Sequence, residues 1–364
     1  MLLIRYITGL LLCFLSFCSN AQKDSVRIHS IEITGLRFHY GTIVIHTPSV
    51  KNVAGARPVG AELEFSKADI DSLSFEKCNC IPRYGLAFSY FAFNAPILGN
   101  GGMISYFIEP SYRLNDHLKF NLRAAAGLIY ASNPFDSLKN PQNKSYTTHI
   151  NPYFQVGLGF ANRISRHISV TAMSGFQHFS NGGFKEPNRG VNWLTGSLGL
   201  IYNSGNNDYP TYKHSSFTGW RTTKIESDVG FLFVPSQGYN SKIMAQRKFI
   251  AGAFTQFTKQ YAKISTFTSG VEMYYDKIES TPTNSINRNS FLVGIHAGHV
   301  FKFNKVSFSQ QIGWQILKER PNADDFYYRY GLTYNISQHL LAGINLKAHS
   351  DNADFADFRF GVRF

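Results

Sequence analysis

Three side chains able to share one proton relay fall in a short stretch, Phe176 to Leu200, which reads F-Q-H-F-S-N-G-G-F-K-E-P-N-R-G-V-N-W-L-T-G-S-L-G-L. A serine hydroxyl becomes a nucleophile when a base takes its proton, and an imidazole serves as that base when an acceptor fixes its tautomer. Ser180 and His178 are two positions apart, so in a strand they share a face and come within reach of each other. Asn192 opens the next candidate strand, and a hairpin brings its amide oxygen back toward the imidazole. Being neutral, that amide stabilises an imidazolium less than a carboxylate does. Between the strands lie Asn181, Gly182 and Gly183; glycines let backbone N–H groups turn toward a developing oxyanion. Singly, each residue has a plainer role: a girdle histidine, a serine filling a strand end, an N-G turn. Together on an oily face, unbonded, they would cost several kcal/mol.

The elements that must position them are strands. Ile168, Val170, Ala172, Ser174 and Phe176 share the face of His178 and Ser180, and Leu194, Gly196, Leu198, Leu200 and Tyr202 share that of Asn192. The same period-two alternation recurs to the end of the chain, where Phe358, Phe360, Val362 and Phe364 oppose Asp357, Arg359, Gly361 and Arg363. No later stretch holds enough consecutive apolar residues for a helical span. Short turns, as at Asn115-Asp116, Arg163 to Arg166, Lys259 to Ala262 and Ser337-Gln338, interleave with long connections at Ala131 to His149, Asn181 to Val191, Pro235 to Ala245, Lys277 to Asn289 and Lys318 to Asp325. A soluble sandwich has comparable loops at both ends, whereas short turns on one rim and long loops on the other mark an outer-membrane barrel. The expected fold class is all-β, a transmembrane antiparallel β-barrel of the outer-membrane type with about 12 to 16 strands. Sixteen candidate strands run from near Ile31 to near Asp354. Two connections, Ser66 to Ile81 and Ser204 to Thr223, are long where turns should be short; the second marks a seam between halves or carries a periplasmic plug. On strand parity, His178 and Ser180 face lipid at the level of the outer leaflet.

Met1 to Ala21 has one charge, Arg5, an apolar run from Ile7 to Phe17, and Ser19-Asn20-Ala21 before a cut, the pattern of a signal peptide. The expected organisation is a signal peptide over 1–21, a barrel half carrying the motif over 22–203, and further barrel strands over 204–364 ending at Phe364. Export of such a barrel places it in the outer membrane of a Gram-negative cell. The formal net charge of +13 loses only Arg5 with the leader. Such a charge suits an anionic surface such as lipid phosphates, and equally a solubilising exterior; no nucleic-acid motif accompanies it. Cys78 and Cys80 form a lone C-N-C, too little for zinc and better read as a periplasmic thiol pair or disulfide. No metal or other cofactor is expected.

The run from His178 to Asn192, H-F-S-N-G-G-F-K-E-P-N-R-G-V-N, resembles the signature of the PagL-type lipid A 3-O-deacylases, outer-membrane esterases in which His-x-Ser-Asn precedes a similar Pro-Asn-x-Gly stretch. The resemblance implies His178 as base, Ser180 as nucleophile, and Asn181, Gly183 and Asn188 at an oxyanion hole. Where that family's best-known members carry a catalytic Glu, this chain has Asn192. The spacing also resembles outer-membrane phospholipase A, whose triad is His, Ser and Asn within H-x-S-N-G, and which uses calcium and dimerises. Pro187-Asn188-Arg189-Gly190 tips the balance to the deacylase. Barrel topology extends the resemblance loosely over Arg83 to Asn203, while Ser204 to Phe364 exceeds the usual eight-stranded deacylase. The expected function is a serine esterase removing an ester-linked acyl chain from lipid A, that is lipopolysaccharide, or a related glycolipid, by a Ser-His-Asn arrangement on the lipid-facing surface. The alternatives are a phospholipase, with a homodimer left open, and a non-enzymatic porin or transport barrel.

Overall fold

The computed structural model describes residues 30–205, 211–214, 216, 219, 222–235, 239–240, 245–280, 288–303, 305–317, 325–349 and 352–364. The expected leader lies outside them, as does much of the long connections after Pro235, Lys277 and Lys318.

Strands β1 (Ser30–Ile43), β2 (Val59–Asp69), β3 (Ile81–Ala92), β4 (Asn100–Arg113), β5 (Leu118–Ala131), β6 (Ile150–Arg163), β7 (Ile168–Phe179) and β8 (Val191–Asn203) pair in order. The last returns to the first, with Ile33 opposite Asn203 and Ile43 opposite Trp193, closing a barrel. Then β9 (Glu226–Val234), the two-residue β10 (Tyr239–Asn240), β11 (Ala245–Gln260), β12 (Ser265–Ser280), β13 (Arg288–Phe303), β14 (Val306–Leu317), β15 (Phe326–Asn335), β16 (Leu340–His349) and β17 (Asn352–Arg363) follow. Here β9 pairs with both β11 and β17, closing a second barrel, while β10 hangs from β11. The all-β antiparallel class stands, but the expected single barrel of 12 to 16 strands is replaced by two closed eight-stranded barrels. The physical reason is the ladder between β1 and β8: once β1 occupies the free edge of β8, no edge is left for β9 to extend, and the chain starts a new closure.

Both barrels are inside-out relative to a soluble protein. Phe38, Tyr40, Leu198, Phe231 and Phe360 lie on the outer faces and are more than half exposed, whereas charge is buried within. In the first barrel Arg123 meets Glu62, Glu64 and Glu109 at 2.9, 2.9 and 3.1 Å. Arg37 reaches the same three carboxylates, and Arg83 meets Glu109 at 2.5 Å. The second barrel repeats the device with Arg359 on Glu272 and Asp357 at 2.8 and 2.7 Å, and Arg329 on Glu272 at 2.6 Å. An eight-stranded barrel leaves an interior just wide enough for side chains, and these networks occupy it.

The over-long connection after β2 is a short helix, α1 (Ser72–Cys78), capped by Asp71, whose carboxylate accepts from Ser74 N at 2.9 Å. A disulfide joins Cys78 to Cys80, with Cα atoms 5.1 Å apart. Phe75 of α1 packs with Ile31, Ile33, Ala68, Ile81 and Ile201 at the end of the barrel where the chain enters. The segment after β8 lies against it: Tyr212 donates its hydroxyl to Ile70 O at 2.6 Å and sets its ring 5.2 Å from that of Phe75.

Candidate active site

The site is built from the inside of the barrel outward. In the β7–β8 ladder Gln177 faces Trp193, His178 faces Asn192 and Phe179 faces Val191. The inward members are locked. Phe179 and Trp193 are fully buried in an aromatic cluster with Phe91, Phe93 and Tyr146, the ring pairs lying 5.2 to 6.0 Å apart. Gln177 accepts from Tyr153 OH at 2.6 Å and donates to Thr195 Oγ1 at 2.9 Å. Each outward residue therefore neighbours a residue fixed in the core, and alternation places His178, Ser180 and Asn192 half-buried on the opposite, outer side of the barrel.

There the three side chains meet. His178 Nε2 lies 3.1 Å from Ser180 Oγ, and His178 Nδ1 lies 2.5 Å from Asn192 Oδ1. The amide oxygen can only accept, so the imidazole carries its proton on Nδ1 and turns the Nε2 lone pair to the hydroxyl. This is the protonation a general base needs.

The loop after β7 turns through left-handed backbone at Gly182, Gly183 and Gly190, with φ of 65°, 84° and 73°. It is stitched to the β5–β6 connection: Arg189 N donates to Lys144 O at 3.1 Å and Gly190 N to Ser145 O at 2.7 Å, and Thr147 Oγ1 donates to Pro187 O. Of the expected oxyanion donors, Asn181 N donates to Asn188 Oδ1 at 2.9 Å and Gly183 N to Asn181 Oδ1 at 3.0 Å. The Asn181 amide donates to Lys185 O at 2.7 Å. Both backbone donors are thus engaged inside the loop. Asn188 accepts through its oxygen, so its Nδ2 hydrogens take no part in these two bonds.

Beyond Phe176 and Leu194, which oppose each other next to the relay, the outer surface of β7 and β8 is dished. Ser174 pairs with Gly196 and Ala172 with Leu198, giving a low floor. Phe38 and Tyr40 of β1 border it on one side and Leu158 and Phe160 of β6 on the other, outlining a shallow, open groove of about 630 Å³.

Two features have no counterpart in the sequence reading. The groove depends on which strands flank β7 and β8. His46, just past β1, lies 3.0 Å from the Asn192 amide nitrogen although 146 positions away; only closure of the barrel between β1 and β8 reveals that proximity, which counting eight candidate strands in this half does not disclose unless the eighth is paired with the first.

Two family models match the chain. Residues 76–201 match that of the lipid A 3-O-deacylase (PagL), and residues 225–364 match that of the acyloxyacyl hydrolase C-terminal domain. No curated protein matches. Among solved structures, Neisserial surface protein A is 10% identical with a TM-score of 0.33, covering 47% of this chain and 96% of its own. The Rhodopseudomonas blastica porin is 12% identical with a TM-score of 0.18, covering 92% and 99%. The Pseudomonas putida toluene transporter TodX is 8% identical with a TM-score of 0.17, covering 92% and 87%.

Proposed function

The chain belongs to the PagL-type lipid A 3-O-deacylase (acyloxyacyl hydrolase) family, in a larger two-barrel form, and from that premise we propose that it is an outer-membrane serine esterase that removes an ester-linked acyl chain from lipid A. The observation that carries the reading is the hydrogen-bonded series from Ser180 Oγ through His178 to Asn192 on the lipid face of the first barrel.

In this reading Ser180 Oγ attacks the ester carbonyl carbon while His178 Nε2 takes the hydroxyl proton. The carbonyl oxygen gathers negative charge and is met by the Asn188 amide. Collapse expels the sugar alkoxide, which receives the proton from His178, and leaves the acyl group on Ser180. Water, losing a proton to His178, then attacks the acyl-enzyme, and the fatty acid departs as Ser180 regains its hydrogen. Asn192 holds the imidazole tautomer through both halves. The leaving acyl chain lies along the groove floored by Ser174 and Gly196. From Ser180 to Ala172 the strand runs about 26 Å at ~3.3 Å per residue. At a tilt of about 45° that is roughly 18 Å of depth, close to one leaflet of a core ~30 Å thick.

A phospholipase reading is favoured by one specific residue, Asn192, which resembles the Asn of the phospholipase's His, Ser and Asn triad rather than the Glu of the best-known lipid A deacylases. Mass spectrometry of outer-membrane lipids from cells expressing the chain or Ser180→Ala separates the two. Loss of one acyl chain from lipid A with the intact serine alone is the expected result. Lysophospholipid without a change in lipid A would replace the deacylase by the phospholipase, and identical profiles would remove both.

A further inference from the structure

The relay does not stop at Asn192. Its Nδ2 lies 3.0 Å from His46 Nδ1, and His46 Nε2 lies 2.7 Å from the carbonyl oxygen of Arg189. The backbone clamps both ends: Val44 N donates to Asn192 O at 2.8 Å, and Gly190 N, next to Arg189, donates to Ser145 O at 2.7 Å. His46 is therefore held between the end of β1 and the loop that carries Ser180.

The donor and acceptor roles along this series admit one arrangement. The Arg189 carbonyl can only accept, so His46 carries its proton on Nε2 and presents a lone pair at Nδ1. That lone pair takes a hydrogen from Asn192 Nδ2. The amide is thereby oriented with its oxygen toward His178, and His178 must carry its proton on Nδ1. Val44 O also stands 3.4 Å from His46 Nδ1, but that separation is too long to compete with the bond to Arg189. An asparagine amide is nearly symmetric in shape, and rotated by half a turn it would offer hydrogens to His178 Nδ1. The imidazole would then hold its proton on Nε2, facing Ser180, and could not act as a base. A carboxylate has no such wrong orientation.

We propose that His46 is a positioning residue for the esterase reaction: by accepting from Asn192 it fixes the amide orientation that keeps His178 a base, a task that arises because an asparagine, unlike a carboxylate, has a wrong orientation. This rests on the esterase reading above.

The test is a double-mutant cycle of His46→Leu against Asn192→Asp in the full chain, refolded in detergent micelles, with a p-nitrophenyl acyl ester as probe and heat-modifiable gel migration to show that each barrel is folded. Asp is isosteric with Asn and accepts in either orientation. His46→Leu is expected to lower kcat at least tenfold with KM within twofold in the wild-type background, and less than threefold in the Asn192→Asp background. Equal losses in both backgrounds, or no loss in the wild type, would overturn the proposal. A second readout needs no turnover: ¹⁵N NMR of histidine-labelled protein should find His178 protonated on Nδ1 in the wild type and as a tautomer mixture in His46→Leu, and an unchanged tautomer would also overturn it. Hydrolysis that persists in Ser180→Ala would instead sink the esterase reading and leave the tautomer result to decide the role of His46.

Discussion

Gly190 lies against the edge of His178, so close that a Cβ added to it would stand 2.8 Å from the imidazole Cε1. Its φ of 73° is also one that L-residues adopt at a cost of about 1–2 kcal/mol. Gly190→Ala must therefore push either the ring or the loop. Because displacements of the order of 1 Å at a reacting group can cost ~100-fold, kcat is expected to fall between tenfold and a hundredfold. KM should stay nearly constant. Gly182→Ala is the control: its φ of 65° carries the same strain, but its added Cβ meets Ala356 Cβ at 3.4 Å and Phe184 Cδ2 at 4.0 Å, ordinary contacts away from the imidazole, so kcat should fall less than threefold. Steady-state kinetics of the two variants side by side would reject the contact argument if their losses were equal.

Asn192 sits 2.5 Å from the imidazole, a gap that an isosteric carboxylate fills and a longer one overfills. The spacing of the sequence alone suggests that Glu is tolerated there. The geometry refines that expectation to Asn192→Asp retaining at least wild-type kcat and Asn192→Glu falling below it. Asn192→Ala should be less damaging than Ser180→Ala, as loss of the orienting member of a triad commonly costs about 100-fold less than loss of the nucleophile. Pre-steady-state acylation rates would check the ranking; an Ala variant as dead as Ser180→Ala would mean that Asn192 does more than orient.

The alternation that places Phe358 and Phe360 outward and Asp357 and Arg359 inward is visible residue by residue in the sequence, and the described strands follow it because a two-residue period leaves no freedom once one face must meet lipid. The proximity of His178 to Ser180 is equally local. The pairing that closes β8 on β1 is not legible, since ladder hydrogen bonds are made by backbone that every residue shares. From that one non-local event follow the two barrels in place of one, the wall of the groove made by Phe38 and Tyr40, and the placement of His46. The connection after β2 looked out of place because its length was read without its chemistry. The cap at Asp71 and the apolar contacts of Phe75 make it a lid on the barrel end.

The charge network inside the first barrel makes a prediction about stability. Arg123 contacts all three buried glutamates, and every member of the network is at most 4% exposed. Arg123→Met leaves three carboxylates facing Arg37 and Arg83. Breaking a buried pair from one side typically costs about 3–5 kcal/mol, so urea unfolding of the first barrel in lipid vesicles should shift by that amount. Arg123→Met combined with Glu62→Gln restores charge balance and should recover part of the loss. A double variant no better than the single one would show that packing of the guanidinium on the Phe107 ring, 3.7 Å from its centroid, matters more than charge.

The groove below the relay should measure the acyl chain. Its floor is low only because Ser174 and Gly196 are small and directly opposed across β7 and β8, and an added Cβ at Gly196 meets no atom within 4 Å. Gly196→Phe can therefore be accommodated without strain in the ladder, its ring filling the groove about four residues, or ~13 Å, along the strand from Asn192. Chains long enough to pass that point lose their apolar contact, at ~0.8 kcal/mol for each methylene forced out of the groove, while shorter chains are untouched. With a series of p-nitrophenyl esters of increasing length, kcat/KM should rise with chain length in the wild type and reach a plateau early in Gly196→Phe. Ser174→Phe, on the facing strand at the same level, should give the same plateau. Parallel length profiles in all three proteins would place the acyl chain elsewhere on the barrel.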